Sequence, residues 1–364
     1  MIILAAAIIL SLSNSGIISK ANKAKTDSDT ANLKEYVNTL RAEWELMTEA
    51  ERTKSGAATF EDYANEKLEE GGYKQRLSED GILMNETSTA AVKAGIKIGD
   101  VVNYSTLLTE KSYTTDGSER SLTGVADETK KQTVKTNTSY TWKYIGISEN
   151  GNLLIAPDLP EGTINSEYKI GFEGEGVAYS KGPEILDTIC DALYTVEGKG
   201  TARSMNVDDV TKLLEYKGPR GSYRYGNEVV ETTEPIALKE LEAKFNINLE
   251  EIHEEEGRYT PEGKKLGEYK CDVYNIDMTK NSDRITGEVV KQKLIYQPND
   301  YMLASRCFGA DFDTYYLLFM IFEVTPNCVT ASDSFTSCLF RPVVELSSNV
   351  KLTPNADKTE WTIK

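Results

Sequence analysis

The sequence predicts an α+β protein, and three observations predict it. An apolar and then amphipathic segment opens the chain, runs of aromatic and β-branched residues alternate with capped helices in the middle, and a strand-like frame encloses an aperiodic stretch near the end. With 364 residues, 39% hydrophobic and 27% charged, the chain can bury a substantial core and form more than one domain. A net charge of −17 repels phosphate backbones and argues against nucleic acid as a partner. Five cysteines without a Cys-x-x-Cys pair, and a single histidine, His253, leave no standard zinc set and no Ser-His or Cys-His pair of obvious spacing. No metal, no cofactor and no catalysis are therefore expected. Cys190 reads as a small buried residue, and a disulfide among Cys307, Cys328 and Cys338 stays open.

Residues 1–12, MIILAAAIILSL, are shorter than the roughly 20 residues a bilayer needs and lack the basic start of a signal peptide. Beyond them Ala21, Ala24, Ala31, Leu33, Val37, Leu40, Trp44 and Met47 recur at spacings of three, four and seven, which predicts one helix from about residue 2 to residue 53. The apolar start followed by Gly16-Ile17-Ile18-Ser19-Lys20-Ala21-Asn22-Lys23-Ala24-Lys25 resembles the first helix of type IV pilins and pseudopilins. That resemblance implies a membrane anchor before assembly, packing against other pilin subunits through residues 1–50 afterwards, and a place on the cell surface. The Gly-Phe or Gly-Ile processing site of that family, and its first dozen or so apolar residues, are not in this sequence.

A helical connector follows over 54–98. In it Thr59 caps a helix to Glu70, with Glu61 and Asp62 in the first turn and Gly71-Gly72 as the stop. The head spans 99–364. Val101–Tyr104, Tyr140–Ile147 and Leu153–Ala156 carry strand composition, the last two joined by a Glu-Asn-Gly turn. Polar Ser112–Asn137 reads as an exposed loop. Pro183–Tyr194 has apolar residues at helical spacing, and Asn206 can cap a helix over Val207–Leu214, where Asp208 and Asp209 face the positive end of the dipole. Those carboxylates fit capping better than metal binding. A helix is expected over Ile236–Phe245. His253, inside the charge run Glu250–Arg258, reads as solvated.

The terminal block runs from Tyr301 to Leu346. Its ends, Tyr301-Met302-Leu303-Ala304-Ser305-Arg306 and Arg341-Pro342-Val343-Val344-Glu345-Leu346, read as paired strands with both arginines held by carboxylates or backbone carbonyls. Between them, residues 307–340 contain no Lys, Arg, Gln, His or Trp and one Glu, although about four basic residues are expected by proportion. Aromatics, small hydroxyls, Asp and Asn are the residue types of an adaptable recognition surface. Phe308, Asp311, Asp313, Tyr315, Tyr316, Phe319, Asn327, Thr330, Ser332, Asp333, Phe335 and Ser337 are accordingly expected to form a ligand-binding face. The competing reading of Tyr315–Phe322 is the buried core of a hairpin.

Tyr-x-Leu-Ala-Ser-Arg, the unusual middle and Arg-Pro-Val-Val-x-Leu resemble the variable region of proteins diversified by retroelements, whose binding domains have a C-type-lectin-like fold. Adenine-directed mutagenesis of Asn codons in that system cannot yield Lys, Gln, Glu, Met or Trp, and between 307 and 340 only Met320 and Glu323 fall outside the reachable set. The resemblance implies a variable region of about 307–340 that binds a protein or glycan on another cell, a phage or a host surface. Taken together, the two resemblances imply a surface adhesin or minor pilus subunit. The alternatives are a plain filament subunit without a ligand and a formylglycine-generating-like enzyme, whose cysteine pair cannot be placed on Cys328 or Cys338.

Overall fold

The computed structural model describes residues 17–78, 81–116, 128–172, 182–219, 221–225, 228–232, 236–237, 240, 243, 270–271, 275–277, 282–311, 316–326, 328–332 and 338–364. It is a mixed α/β structure of two compact units, Met1–Thr89 with Glu149–Gly151, and Ala90–Ser148 with Asn152–Lys364.

In the first unit, α1 (Ile17–Leu46) is 30 residues long. Its Leu33, Val37 and Leu40 are buried with Phe60, Tyr63, Ala64 and Leu68, and Trp44 is packed against that cluster. The stripe from Leu33 to Trp44 thus lies where the sequence puts it, but Ala31 is exposed, the side chains of Ala21 and Ala24 lie outside the description, and the helix stops short of residue 53. The local sequence Thr48-Glu49-Ala50-Glu51 starts a new helix, α2 (Glu49–Ser55), through a reciprocal capping box in which the Glu51 carboxylate accepts from the Thr48 N–H at 2.8 Å. Arg52 reaches back across the break, donating to the Trp44 carbonyl at 2.8 Å and stacking 4.9 Å over the Trp44 ring. α3 (Phe60–Glu70) begins and ends as expected, with a Thr59–Asp62 capping box and Gly71 at its end. The connector holds more order than its polar composition suggests. A hairpin pairs β1 (Arg76–Leu77) with β2 (Leu83–Met84), and Asn85 caps α4 (Glu86–Ala94) by accepting from the Ser88 N–H at 2.8 Å. Among the described residues no helix is long and apolar enough to cross a membrane. Residues 2–12 lie outside the description.

The second unit is built on two sheets. Its strands are β3 (Val101–Val102), β4 (Ser112–Thr114), β5 (Thr133–Lys135), β6 (Thr141–Ile147), β7 (Leu153–Asp158), β8 (Lys169–Ile170), β9 (Gly200–Ser204), β10 (Gly221–Tyr225), β11 (Glu228–Thr232), β12 (Ile236–Ala237), β13 (Lys270–Cys271), β14 (Asn275–Asp277), β15 (Tyr301–Asp311), β16 (Tyr316–Val324), β17 (Cys328–Ser332), β18 (Cys338–Phe340), β19 (Pro342–Leu346), β20 (Leu352–Pro354) and β21 (Glu360–Ile363). Its helices are α5 (Gly182–Tyr194), α6 (Val207–Leu214) and α7 (Val289–Ile295). One sheet has the order β20-β21-β3-β6-β7-β19-β9, and the other runs β11-β10-β15-β16-β17-β14 with β18 joining β15 to β8.

Amphipathic α5 packs on β9 and β15 and buries Ile185, Leu186, Ile189, Cys190 and Leu193. Burial pushes the Cys190 thiol well above its ordinary pKa, so it is an inert core residue, as read from the sequence. A relay of edge-to-face rings, Tyr104–Trp142 at 5.0 Å, Trp142–Tyr194 at 5.8 Å and Tyr194–Phe340 at 6.5 Å, ties the first sheet to α5 and to the end of the terminal block.

The β6–β7 hairpin and the capped helix α6 stand as expected. Three other expectations change. The 112–137 loop contains a β4–β5 ladder with Val134 fully buried, because one apolar residue among threonines suffices to seat a two-stranded ribbon on the core; 117–127 lie outside the description. Ile236 begins not a helix but the short strand β12, paired with β13, while Glu240 and Ala243 are helical. The ends of the terminal block are not paired with each other. The chain changes sheets at Arg341, so β15 lies in the eight-stranded sheet and β19 in the seven-stranded one, where Pro342, which has no N–H, stands opposite Ser204. His253 and the run Glu250–Arg258 lie outside the described residues.

Candidate ligand-binding block and its anchor

The block 307–340 begins within β15 and ends with β18. Those two strands pair in parallel, Tyr301 beside Leu339 and Met302 beside Phe340. Leu339 and Phe340 are buried, so the last residues of the block belong to the scaffold.

Arg341 sits at the crossing and is 0% exposed. A buried guanidinium is costly unless its donors are met. Its Nε donates to the Pro157 carbonyl at 2.9 Å, and its Nη1 donates to the Leu294 carbonyl and to the Tyr301 hydroxyl, the latter at 3.3 Å. The guanidinium carbon lies 5.3 Å from the centre of the Tyr301 ring, within cation–π range. Carbonyls, a hydroxyl and a ring face thus hold Nε, Nη1 and the guanidinium plane, with no carboxylate among the described contacts, while the buried Nη2 has no hydrogen-bond partner there. Tyr301, also 0% exposed, donates its own hydroxyl hydrogen bond to the Ile295 carbonyl at 2.9 Å. Burial pushes its hydroxyl pKa up, and the Arg341 charge partly offsets that. Arg306 lies in β15, but its side chain is outside the description.

Met205 joins the two ends that do not pair directly. Its N–H donates to the Arg341 carbonyl and its carbonyl accepts from the Ala304 N–H, both at 2.8 Å. Two residues further on, the first free N–H of α6, on Val207, donates to the buried Ser305 hydroxyl at 2.9 Å. Asn206 caps α6 reciprocally with Asp209, and Arg203 grips the Asp209 carboxylate with two bonds of 2.6 Å. The sequence marks the Asn206 cap and the first-turn Asp208 and Asp209 but does not connect them to the block. The missed contributors are Met205, Pro157, Leu294 and Ile295, which act through backbone groups that no residue pattern marks.

The structure places half of the twelve expected ligand residues. Phe308 stands opposite Phe319, Glu323 opposite Thr330 and Ile321 opposite Ser332, so Phe308, Phe319, Thr330 and Ser332 occupy ladder positions of one face. Asp311 stands opposite Tyr316 at positions of the other face. Asp313, Tyr315, Asn327, Asp333, Phe335 and Ser337 lie outside the described residues. Tyr315–Phe322 does form one arm of a hairpin from Tyr316 onward. Among the described residues no group of three or more His, Cys, Asp or Glu is placed to hold a metal ion. No protein family, no curated protein and no solved structure matches this chain.

Proposed function

We propose that this chain is a cell-surface, pilin-like filament subunit or adhesin whose lectin-like head carries a diversified, non-enzymatic binding block at 307–340. The observation that carries the reading is the anchor. Among the described residues, both ends of the block are fixed by fully buried Tyr301 and Arg341 and by the Met205 backbone, through partners at Pro157, Leu294, Ile295 and Ala304 that lie outside the block. A hairpin held that way can change its side chains without loosening the core. The restricted composition of 307–340 is what such change leaves behind when only certain residue types can be written in.

The 30-residue helix α1, amphipathic over Leu33–Trp44, supports the filament half of the reading. The ligand is a protein or glycan presented on another surface, met by rings and short polar groups. Deep sequencing of the locus across a population tests the proposal, together with a search of the neighbouring DNA for a near-identical template repeat and a reverse transcriptase. Substitutions concentrated at template adenines between codons 307 and 340 are expected; an even spread over the gene overturns it.

A further inference from the structure

At the tip of the β6–β7 hairpin stands Asn150-Gly151, the one place in the chain where asparagine precedes glycine; every other asparagine precedes a residue with a side chain. The fold itself requires that glycine. Its φ is +77°, and an added Cβ would lie 2.0 Å from the Leu83 carbonyl oxygen. Asn150 beside it is exposed in the turn.

Three features make the pair reactive. A bond between Asn150 Cγ and the Gly151 main-chain nitrogen closes a five-membered ring through Cβ, Cα and the Asn150 carbonyl carbon. No side chain on Gly151 stands in the way of that bond. Among the described residues the Gly151 N–H makes no hydrogen bond: the Ser148 N–H closes the turn on the Asn152 carbonyl at 2.8 Å, and the Gly151 carbonyl accepts from the Asn85 N–H at 3.0 Å. The nucleophile is therefore unshielded and unengaged, and it is tethered to its electrophile, which removes the entropy cost of bringing the two together.

We propose that Asn150 is a site of spontaneous deamidation, and that its isoaspartate product releases Asn85. The Gly151 nitrogen bonds to Asn150 Cγ and loses its proton to water, and the side-chain nitrogen leaves as ammonia, giving a cyclic imide. Water then opens the ring. Attack at Cγ breaks the new bond and leaves aspartate; attack at the main-chain carbonyl breaks the original peptide bond and leaves isoaspartate, with the chain running through Cγ. The net change is amide plus water to carboxylic acid plus ammonia, with no oxidant or reductant. Either product adds one negative charge to a chain at −17. Only isoaspartate also lengthens the main chain by a methylene, immediately before the glycine that is packed against the Leu83 carbonyl and holds the Asn85 N–H. Asn85 in turn caps α4 through the Ser88 N–H at 2.8 Å, so the start of that helix is loosened with it.

The test ages the full chain at mildly alkaline pH and maps its peptides by mass spectrometry, with isoaspartate scored by enzymatic methylation. Conversion at Asn150 should run at least about tenfold faster than at any other asparagine. Asn150→Ser, which has no amide to lose, should remove that signal and leave the melting temperature of the fresh protein unchanged. Hydrogen exchange reads the consequence: the Asn85 and Ser88 amides should lose protection by about tenfold or more in the isoaspartate fraction. They should keep it in Asn150→Asp, which carries the charge on an ordinary main chain. An Asn150 that converts no faster than the other asparagines overturns the site. An isoaspartate chain whose Asn85 and Ser88 amides exchange as they do in Asn150→Asp overturns the release.

Discussion

Tyr301→Phe removes one oxygen from the anchor and little else. The ring stays under the Arg341 guanidinium and no cavity opens, so the effect is that of the hydroxyl alone. Two buried partners lose it: the Ile295 carbonyl loses its donor at 2.9 Å and Arg341 Nη1 loses an acceptor at 3.3 Å. Tyr301 is 0% exposed, so water does not replace the oxygen. A bond to a charged group contributes about 1.5–3 kcal/mol and a neutral one about 0.5–1.5, giving a loss of about 2–4 kcal/mol. Native-state hydrogen exchange reads it locally. The amides of Met205, Ala304 and Val207, which close the anchor, should lose protection by about 30- to 1000-fold while those of α3 keep theirs. A loss under about 0.5 kcal/mol at those three amides would show that Tyr301 and Arg341 do not hold the ends of the block.

Other perturbations probe single steps of the argument. Burial raises the Asp187 carboxyl above its ordinary 3.8, with the Ser204 N–H and the Arg203 charge pulling it partly back. A carboxyl raised on folding keeps its proton longer in the folded state, so stability falls as pH climbs from 3.8 through the folded value. Asp187→Asn keeps an acceptor for the Ser204 N–H and should therefore melt higher than the parent at neutral pH, with the advantage gone at pH below 3.8; equal destabilisation at both would refute this. Thr48→Ala should cost about 1 kcal/mol and fray α2, read as faster exchange at Glu51 and Arg52. Gly151→Ala should cost more than about 2 kcal/mol, measured by thermal melting, since φ is +77° and an added Cβ would sit 2.0 Å from the Leu83 carbonyl oxygen.

What the sequence made legible was local. The α1 stripe, the Thr59 and Asn206 caps, the Glu-Asn-Gly turn and the burial of Cys190 each follow from a spacing or a side chain, and each stands in the structure. The break after Leu46 was legible too, in Thr48-x-x-Glu51, but the longer periodicity masked it. What could not be read was long-range pairing. Nothing in Tyr301–Arg306 or Pro342–Leu346 says that they belong to different sheets, because either would pair as well with the other as with β9 or β16. The anchor of the candidate site was half legible: Arg341 beside a strand announces a need for partners, yet its guanidinium meets the backbone carbonyls of Pro157 and Leu294 and its own carbonyl meets the amide of Met205, all chosen by topology alone.

The central claim is that the frame folds without regard to what the block between its ends contains. A library that randomises Phe308, Asp311, Asp313, Tyr315, Tyr316, Phe319, Asn327, Thr330, Ser332, Asp333, Phe335 and Ser337 together, displayed on cells and sorted for protease resistance, tests it directly. Members with unrelated residues at all twelve positions should resist as the parent does, and the same library built on Tyr301→Phe should lose most of its resistant members. Survivors confined to the parental residues, or survival indifferent to the Tyr301 change, would contradict the account.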